Sequence, residues 1–199
     1  TNGGLEMGAI FQSLGRTVAA GVVLVIVLIL AAGSGIKYDH AWGTFLMRFL
    51  HVASGVMWVG LLYYFNFVQI PSMPKIPDEQ KPAIGKVIAP TALFWFRWAA
   101  LATLVTGLLL AGMNDYLGAL VTFARPFTAI AIGMWLGAIM AFNVWFIIWP
   151  NQKKALGIVT VEPAEKAKAA RLAMLASRFN TMLSIPMLYC MVAQQNGGL

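Results

Sequence analysis

The chain has 199 residues, of which 60% are hydrophobic and only 11% are charged, and its mean hydropathy is +0.76. This composition leaves too little polar surface to cover a soluble globule, which excludes an ordinary water-soluble domain. The formal net charge is +7, but in so apolar a chain a basic excess is typical of the loops of a membrane protein. We therefore predict an integral membrane protein that binds no nucleic acid.

Five stretches of the chain are candidate membrane spans. A helix needs about 20 mostly apolar residues to cross a bilayer, and four stretches meet that requirement, while the last is interrupted by Arg178, Asn180 and Pro186. The predicted spans are 18–36, 44–70, 91–113, 127–149 and 171–193. Because the membrane interior offers no water to backbone groups, and these stretches are longer than barrel strands, we expect helices. The predicted fold is all-α and polytopic, with one membrane domain over residues 1–199.

The segments between the spans predict connectors and a topology. Five prolines in 71–90 argue against one regular helix there. In 151–170, Pro163 is compatible with a helix start or with a charged linker. With five spans, these two segments share a side with the N-terminal tail, and together they carry most of the lysines and arginines. The positive-inside rule then places the N-terminus in the cytoplasm and the C-terminus outside.

One residue pattern occurs twice, in 48–66 and in 125–143. The matching positions are Arg48, Met57, Trp58, Gly60, Phe65 and Asn66 in the first copy and Arg125, Met134, Trp135, Gly137, Phe142 and Asn143 in the second. Since spans two and four run in the same direction, the repeat predicts two parallel helical hairpins, made of spans 2–3 and 4–5. We expect these hairpins to form a four-helix core.

Small residues recur every four positions in two of the predicted spans. The third span carries Ala99, Thr103, Gly107 and Ala111, and the fourth carries Gly133, Gly137 and Ala141. Such stripes permit close approach of neighbouring membrane helices. They support the prediction of a packed four-helix core.

The two copies of the pattern differ at one position, where the first has His51 and the second has Thr128. His51 is the one histidine inside a predicted span, and neutral imidazole is a natural axial ligand for haem iron. Helical spacing puts Arg48, Gly55 and Trp58 on the same face, which would supply an aromatic wall and room for a flat macrocycle. The alternatives are a buried histidine bonded to a neighbouring helix and a histidine that faces water near the interface.

The second histidine, His40, is expected to lie in an interfacial loop. A bis-histidine haem site within this chain is therefore not predicted. The candidate cofactor is haem b held by His51, and the alternative is that the chain binds no cofactor, or only lipid or pigment.

A second polar region is predicted toward the cytoplasmic ends of the spans. Its members are Asn66, Arg97, Asn143, Arg178 and Asn180. Polar side chains often bridge packed membrane helices, so these residues are expected to join the helices. The alternative is that Arg97 and Arg178 form an anion-binding pair, because guanidinium groups match planar anions.

Two runs of the chain carry a family resemblance, LHVASGVMWVG from Leu50 to Gly60 and FNVWFIIWPNQKK from Phe142 to Lys154. They resemble the N-terminal membrane domain of bacterial cytochrome-c-linked urate oxidases. The resemblance covers about residues 44–190, and the Trp-Pro-Asn-Gln-Lys-Lys stretch is its most specific part. It implies the bacterial inner membrane and, in the fused form, a C-terminal cytochrome c that accepts electrons outside the cytoplasm. The present sequence has no cytochrome c motif, so we expect a short form without that domain.

These observations favour three functions. The first is an integral membrane subunit of an electron-transfer assembly, with His51 as a haem ligand or a quinone-site residue. The second is a structural accessory subunit of a larger respiratory or photosynthetic complex without its own chemistry. The third is a urate-oxidising membrane enzyme that uses a separate cytochrome c, and whether the chain is an enzyme stays open. The expected partners are membrane lipids, other membrane subunits and a cytochrome c.

Overall fold

The computed structural model describes residues 8–198, and that part of the chain contains helices and no strands. The long helices are α1 (Leu14–Ala32), α2 (His40–Lys75), α3 (Lys81–Met113), α5 (Thr128–Ala155) and α6 (Pro163–Asn196), and a short helix α4 (Ala119–Thr122) precedes α5. The all-α prediction is confirmed. Four of these helices, α1, α2, α3 and α5, are long and apolar enough to cross a membrane, as expected for a multi-pass membrane protein.

The described residues divide after Gly43 into two compact units. The first unit contains α1, which is almost entirely apolar from Val18 to Ala32. The second unit begins at Thr44, and it contains the cavity and the core described below. Residues 1–7 and 199 lie outside the described residues. The prediction of the side of the membrane on which each chain end lies therefore falls partly on them.

Helices α2, α3 and α5 each contain a π-helical turn just before a proline. The turns are Tyr64–Gln69 before Pro71, Ile84–Ile88 before Pro90 and Asn143–Ile148 before Pro150. A proline ring clashes with the carbonyl group four residues earlier, and here each of those carbonyl groups lies in the wider π turn. Helices α2 and α5 therefore continue past Pro71 and Pro150, where we expected them to end, and α3 begins before Pro90, where we expected it to start.

The helix boundaries differ accordingly from the predicted ones. Between α2 and α3 only residues 76–80 lie outside a helix, so most of the predicted 71–90 connector is helical. His40 is the first residue of α2 rather than a loop residue. The start is stabilised by Asp39, whose Oδ1 accepts a hydrogen bond from the backbone N–H of Trp42 at 3.1 Å. Of the two readings of Pro163, the structure has the helix start.

One hydrophobic core joins α2, α3, α5 and α6. Its buried side chains include Trp58, Leu62 and Phe65 of α2, Leu93 and Phe96 of α3, Met140, Val144 and Ile148 of α5, and Met187 of α6. Helix α6 packs along α5, and Gly133 makes this possible, because a Cβ atom there would lie 3.2 Å from the Cβ of Cys190. Of the stripe on the fourth predicted span, Gly133 thus permits close helix approach, whereas a Cβ atom added at Gly137 would meet no atom within 4 Å.

Asparagine side chains join α2 and α5 to α6. The Asn143 amide donates to Asn180 Oδ1 at 2.8 Å, and the fully buried Asn180 amide donates to the Met140 carbonyl group at 2.9 Å. On α2, Asn66 donates to Ser177 Oγ at 2.8 Å. These bonds pair polar groups that water cannot reach in the packed interior. They also hold α6 in register with α2 and α5.

Replacing Asn180 by leucine should lower the free energy of unfolding by about 1–3 kcal/mol, because the Met140 carbonyl group and the Asn143 amide lose their partner in a buried place. The measurement is reversible unfolding in mixed detergent micelles. The matched control is Asn196→Leu, since exposed Asn196 donates only to Val192 of its own helix. Equal stability of the Asn180→Leu variant and the unmodified chain would contradict the role of this bond.

Candidate functional site

His51 of α2 is bonded to the backbone of α3. Its Nδ1 atom lies 2.9 Å from the Thr103 carbonyl oxygen and 3.2 Å from Thr106 Oγ1. The Thr106 hydroxyl already donates to the Ala102 carbonyl oxygen at 2.6 Å, so it can accept from the histidine. His51 therefore connects two membrane helices through a backbone carbonyl group that no substitution of a side chain can remove.

This hydrogen bond determines the tautomer of His51. A carbonyl oxygen only accepts, so Nδ1 must carry the hydrogen, and Nε2 of the neutral ring keeps its lone pair. Metal-bound histidines in proteins have this arrangement, in which one ring nitrogen donates to a carbonyl group and the other binds the metal. Nε2 of the imidazole thus keeps a lone pair that could bind a metal.

Gly107 provides the space that the imidazole occupies. A Cβ atom at this position would lie 2.8 Å from His51 Cε1 and 3.2 Å from Nδ1. We predicted Gly107 as part of a stripe that brings helices together, and the structure gives it a different neighbour, the histidine ring. Thr103 of the same stripe supplies the carbonyl group that orients the ring.

His51 lines a cavity of about 290 Å³, here called the histidine cavity. Its walls are almost wholly apolar and come from α2, α3, α4, α5 and α6. Three thioether sulfur atoms belong to residues of the lining, those of Met134, Met187 and Met191. Because Met187 and Met191 are four residues apart on α6, they share a face of that helix.

Trp58 also lines the histidine cavity, and its side chain is only 2% exposed. Its indole Nε1 is buried and has no hydrogen-bond partner within residues 8–198. Buried donors in native proteins are nearly always paired, so an unpaired one needs an explanation. A bound group with an acceptor atom near this indole would supply the missing partner.

The other two predicted neighbours of His51 lie beside the histidine cavity rather than in its lining. Gly55 faces Thr103, whose Cγ2 atom would be 3.8 Å from an added Cβ. The side chain of Arg48 reaches α6. With the Gln195 amide oriented to match its neighbours, Gln195 Oε1 accepts hydrogen bonds from Arg48 Nη1 at 3.2 Å and from Arg48 Nε at 3.1 Å. Burial raises the pKa of Tyr116 in the loop after α3, and the nearby charge of Arg48 partly offsets this rise.

The predicted polar cluster is only partly assembled. Two members, Asn66 and Asn143, donate hydrogen bonds to residues of α6, and Asn180 lies on α6 itself. Arg97 instead stacks on Trp149, with its guanidinium carbon 3.3 Å from the ring centroid. Arg178 is exposed on the surface of α6.

Met134 was predicted only as a position of the repeat, and Met187, Met191 and the role of Thr103 were not predicted. A backbone carbonyl group leaves no signal in a side-chain pattern, so its bond to His51 could not be predicted. The i, i+4 spacing of Met187 and Met191 was present, but methionines on a membrane helix are usually ordinary packing residues. Within the described part of the chain, no group of three or more His, Cys, Asp or Glu side chains offers a separate metal site.

Replacing Gly107 by alanine should displace the His51 ring and destabilise the protein by about 1–3 kcal/mol, because overpacking forces neighbouring groups to move. Nitrogen-15 NMR of the histidine side chain would report the lost Nδ1 hydrogen bond. The matched control is Gly137→Ala, since Gly137 lines the same cavity but has no atom within 4 Å of an added Cβ. An unchanged His51 signal in Gly107→Ala would show that the close contact is not real.

Comparison with known proteins gives one family. No curated protein and no solved structure matched the chain. Residues 117–197, which include α4, α5 and all of α6, match the model of the family described as urate oxidase N-terminal. This match includes the Trp-Pro-Asn-Gln-Lys-Lys stretch and three methionines of the histidine cavity. The resemblance predicted from the sequence is thereby confirmed over residues 117–197, which are similar to the urate oxidase N-terminal family.

Proposed function

We propose that the chain is an integral membrane subunit of an electron-transfer assembly and that the histidine cavity holds a b-type haem through His51 Nε2. The observation that carries this proposal is the hydrogen bond from His51 Nδ1 to the Thr103 carbonyl oxygen. It leaves a neutral, oriented imidazole nitrogen beside an apolar cavity inside the membrane. An ionisable residue in that setting has a functional role by default.

The donor set of the histidine cavity is compatible with haem. Imidazole and thioether groups are both known axial ligands of haem iron, and one imidazole and three thioethers belong to this lining. The cavity, at about 290 Å³, is slightly smaller than the usual range of ligand pockets, about 300–1,000 Å³. Leu108 and Trp135 of the lining are exposed, so a group larger than the cavity would have to extend past the lining toward lipid.

The residues of the chain would act on such a group in separate ways. Thr103 and Thr106 hold the imidazole in one orientation, which keeps Nε2 available. The apolar walls exclude water. When bound, haem supplies one-electron oxidation and reduction, and its potential depends on the axial ligands and on the polarity of the walls.

The proposal includes a five-span topology in which α6 is the fifth span. Helix α6 supports this by packing along α5 and by contributing Met187 to the common core. The parallel hairpin repeat is supported by the π turns before Pro71 and Pro150, and by Asn66 and Asn143, which both bond α6. The charge pattern favours a cytoplasmic N-terminus and an outside C-terminus in the bacterial inner membrane. Membrane lipids, other membrane subunits and a cytochrome c are the proposed partners.

The alternative is a structural accessory subunit. Exposed apolar side chains cover much of α3 and α5, for example Leu109 and Ile139, and such surfaces can pack against other membrane subunits as well as lipid. In that case His51 serves only to join α2 to α3, and the histidine cavity holds lipid or pigment. A spectrum of the purified protein distinguishes these two functions.

The haem proposal predicts a Soret band in the purified protein and its loss in His51→Gln. Glutamine preserves a donor for the Thr103 carbonyl group but is a poor iron ligand, so this variant should still fold. His40→Gln is the matched control and should keep the band. The measurement is the absorbance spectrum of oxidised and reduced protein, with helix content checked by circular dichroism. Absence of the band from the unmodified protein would leave the structural alternative.

The family match supports a third candidate, a urate-oxidising enzyme that uses a separate cytochrome c. This function predicts urate consumption by membranes that carry the chain when a soluble cytochrome c is added, with reduction of the cytochrome. Membranes without the chain are the control. No urate consumption above that control would rule out the enzyme.

A further inference from the structure

The indole ring of Trp149, near the end of α5, has two cationic side chains beside it. The guanidinium carbon of Arg97, from α3, lies 3.3 Å from the ring centroid, and Lys153 Nζ lies 5.8 Å from the same centroid. All three side chains are half-buried. Both positive charges thus lie within about 6 Å of one ring, the distance over which an aromatic face attracts a cation. These three residues are here called the Trp149 cluster.

The Trp149 cluster contains no negative charge. Within residues 8–198, the ion pairs involve Lys81 and Lys154, so neither Arg97 nor Lys153 has a carboxylate partner. Like charges at such short range repel each other, and the repulsion is stronger where the side chains are partly removed from water. An anion from outside the described chain would supply the missing counter-charge.

Each cation has a nitrogen atom that an anion can reach. Arg97 Nε and Nη1 are buried and unpaired, whereas Nη2, which has no hydrogen bond within the described residues either, is accessible. Lys153 Nζ is likewise accessible and without a hydrogen bond. Arginine offers a fixed donor geometry that suits phosphate, and the flexible lysine can adjust its ammonium group to an anion that arginine holds. The chemistry of the cluster therefore favours a phosphate group.

An exposed apolar surface continues from the Trp149 cluster along the helices. The Trp145 ring lies 6.0 Å from the Arg97 guanidinium carbon, and it contacts Trp98 edge to face at 5.6 Å. Helical spacing puts Trp98, Val105 and Leu109 on one face of α3, and all three are exposed. A soluble anion gains nothing from this strip, whereas a lipid can lay an acyl chain along it. The phosphate is therefore best supplied by a phospholipid.

We propose that Arg97 Nη2 and Lys153 Nζ bind the headgroup phosphate of an anionic phospholipid, whose acyl chains lie along the exposed apolar strip of α3. A zwitterionic lipid carries the same phosphate together with a cationic amine, which the two side chains repel. The site should therefore prefer the anionic lipid. It requires only that the chain lies in a membrane, so it does not depend on haem or on His51.

The test is native mass spectrometry of the whole chain in neutral detergent, titrated with phosphatidylglycerol and, separately, with phosphatidylcholine of the same acyl chains. We expect the first phosphatidylglycerol to bind at least about fivefold more tightly than the first phosphatidylcholine, the factor that corresponds to about 1 kcal/mol for one basic side chain. Lys153→Gln should weaken phosphatidylglycerol binding by about the same factor. The matched control is Lys154→Gln, which removes an equal charge at the next position from a lysine already paired with Glu165, and its affinity should stay close to that of the unmodified chain.

A second pair of variants tests the arginine. Arg97→Gln should weaken phosphatidylglycerol binding at least as much as Lys153→Gln, while Arg178→Gln, at an exposed position of α6, should leave it unchanged. Helix content is checked by circular dichroism, and the two lysine variants decide the matter if Arg97→Gln does not fold.

Three results would overturn the proposal. Equal affinity for the two lipids would show that the cluster does not read the headgroup charge. Equal losses in Lys153→Gln and Lys154→Gln would show general attraction to a basic surface, and displacement of phosphatidylglycerol by millimolar inorganic phosphate would show a site for soluble anions. The His51→Gln variant should bind phosphatidylglycerol as the unmodified chain does, so this proposal and the haem proposal fail separately.

Discussion

The site depends on one hydrogen bond, from the His51 imidazole to the Thr103 carbonyl oxygen. Inside an apolar helix bundle this bond joins α2 to α3, and it determines which ring nitrogen carries the hydrogen. It also requires the glycine at 107, because any side chain there would occupy the volume of the ring. The orientation of Nε2, the shape of the histidine cavity and the absence of a side chain at 107 are consequences of this contact.

The polar groups of the second unit lie at two ends of the core, with apolar residues between them. Leu62 and Met140 are fully buried in that middle layer, whereas His51 lies toward one end and Asn66 toward the other. The asparagine bonds to α6 stabilise the packing at the second end. The two ends therefore have different chemistry, one with imidazole and thioether groups and the other with amide groups.

The fold class and the inward face of α2 could be predicted from the sequence, and the helix ends could not. Long apolar runs suffice to predict helices, and the spacing of His51, Trp58, Leu62 and Phe65 predicts one buried face, which is the face observed. Prolines at 71 and 150 indicated helix ends, but π turns accommodate them within continuous helices. The formation of a π turn depends on the residues packed around it and has no simple sequence pattern.

Of the residues of the candidate site, only the central one, His51, could be predicted from the sequence. The difference between His51 and Thr128 in the repeat indicated the right position, but the partners of His51 are a backbone carbonyl group and a glycine. Arg97 and Arg178 were both expected to join helices, yet Arg97 stacks on Trp149 and Arg178 is exposed. Sequence spacing gives the face of a helix, while the partner of a long side chain depends on which neighbour lies within reach.

The most direct test of the haem assignment is an electron cryomicroscopy map of the purified chain in lipid nanodiscs, with an antibody fragment to add mass. The account predicts density for a flat group in the histidine cavity, continuous with His51 Nε2, while Nδ1 stays within hydrogen-bond distance of the Thr103 carbonyl oxygen. A map in which the cavity contains only lipid, or in which Nε2 bonds a protein group, would contradict it.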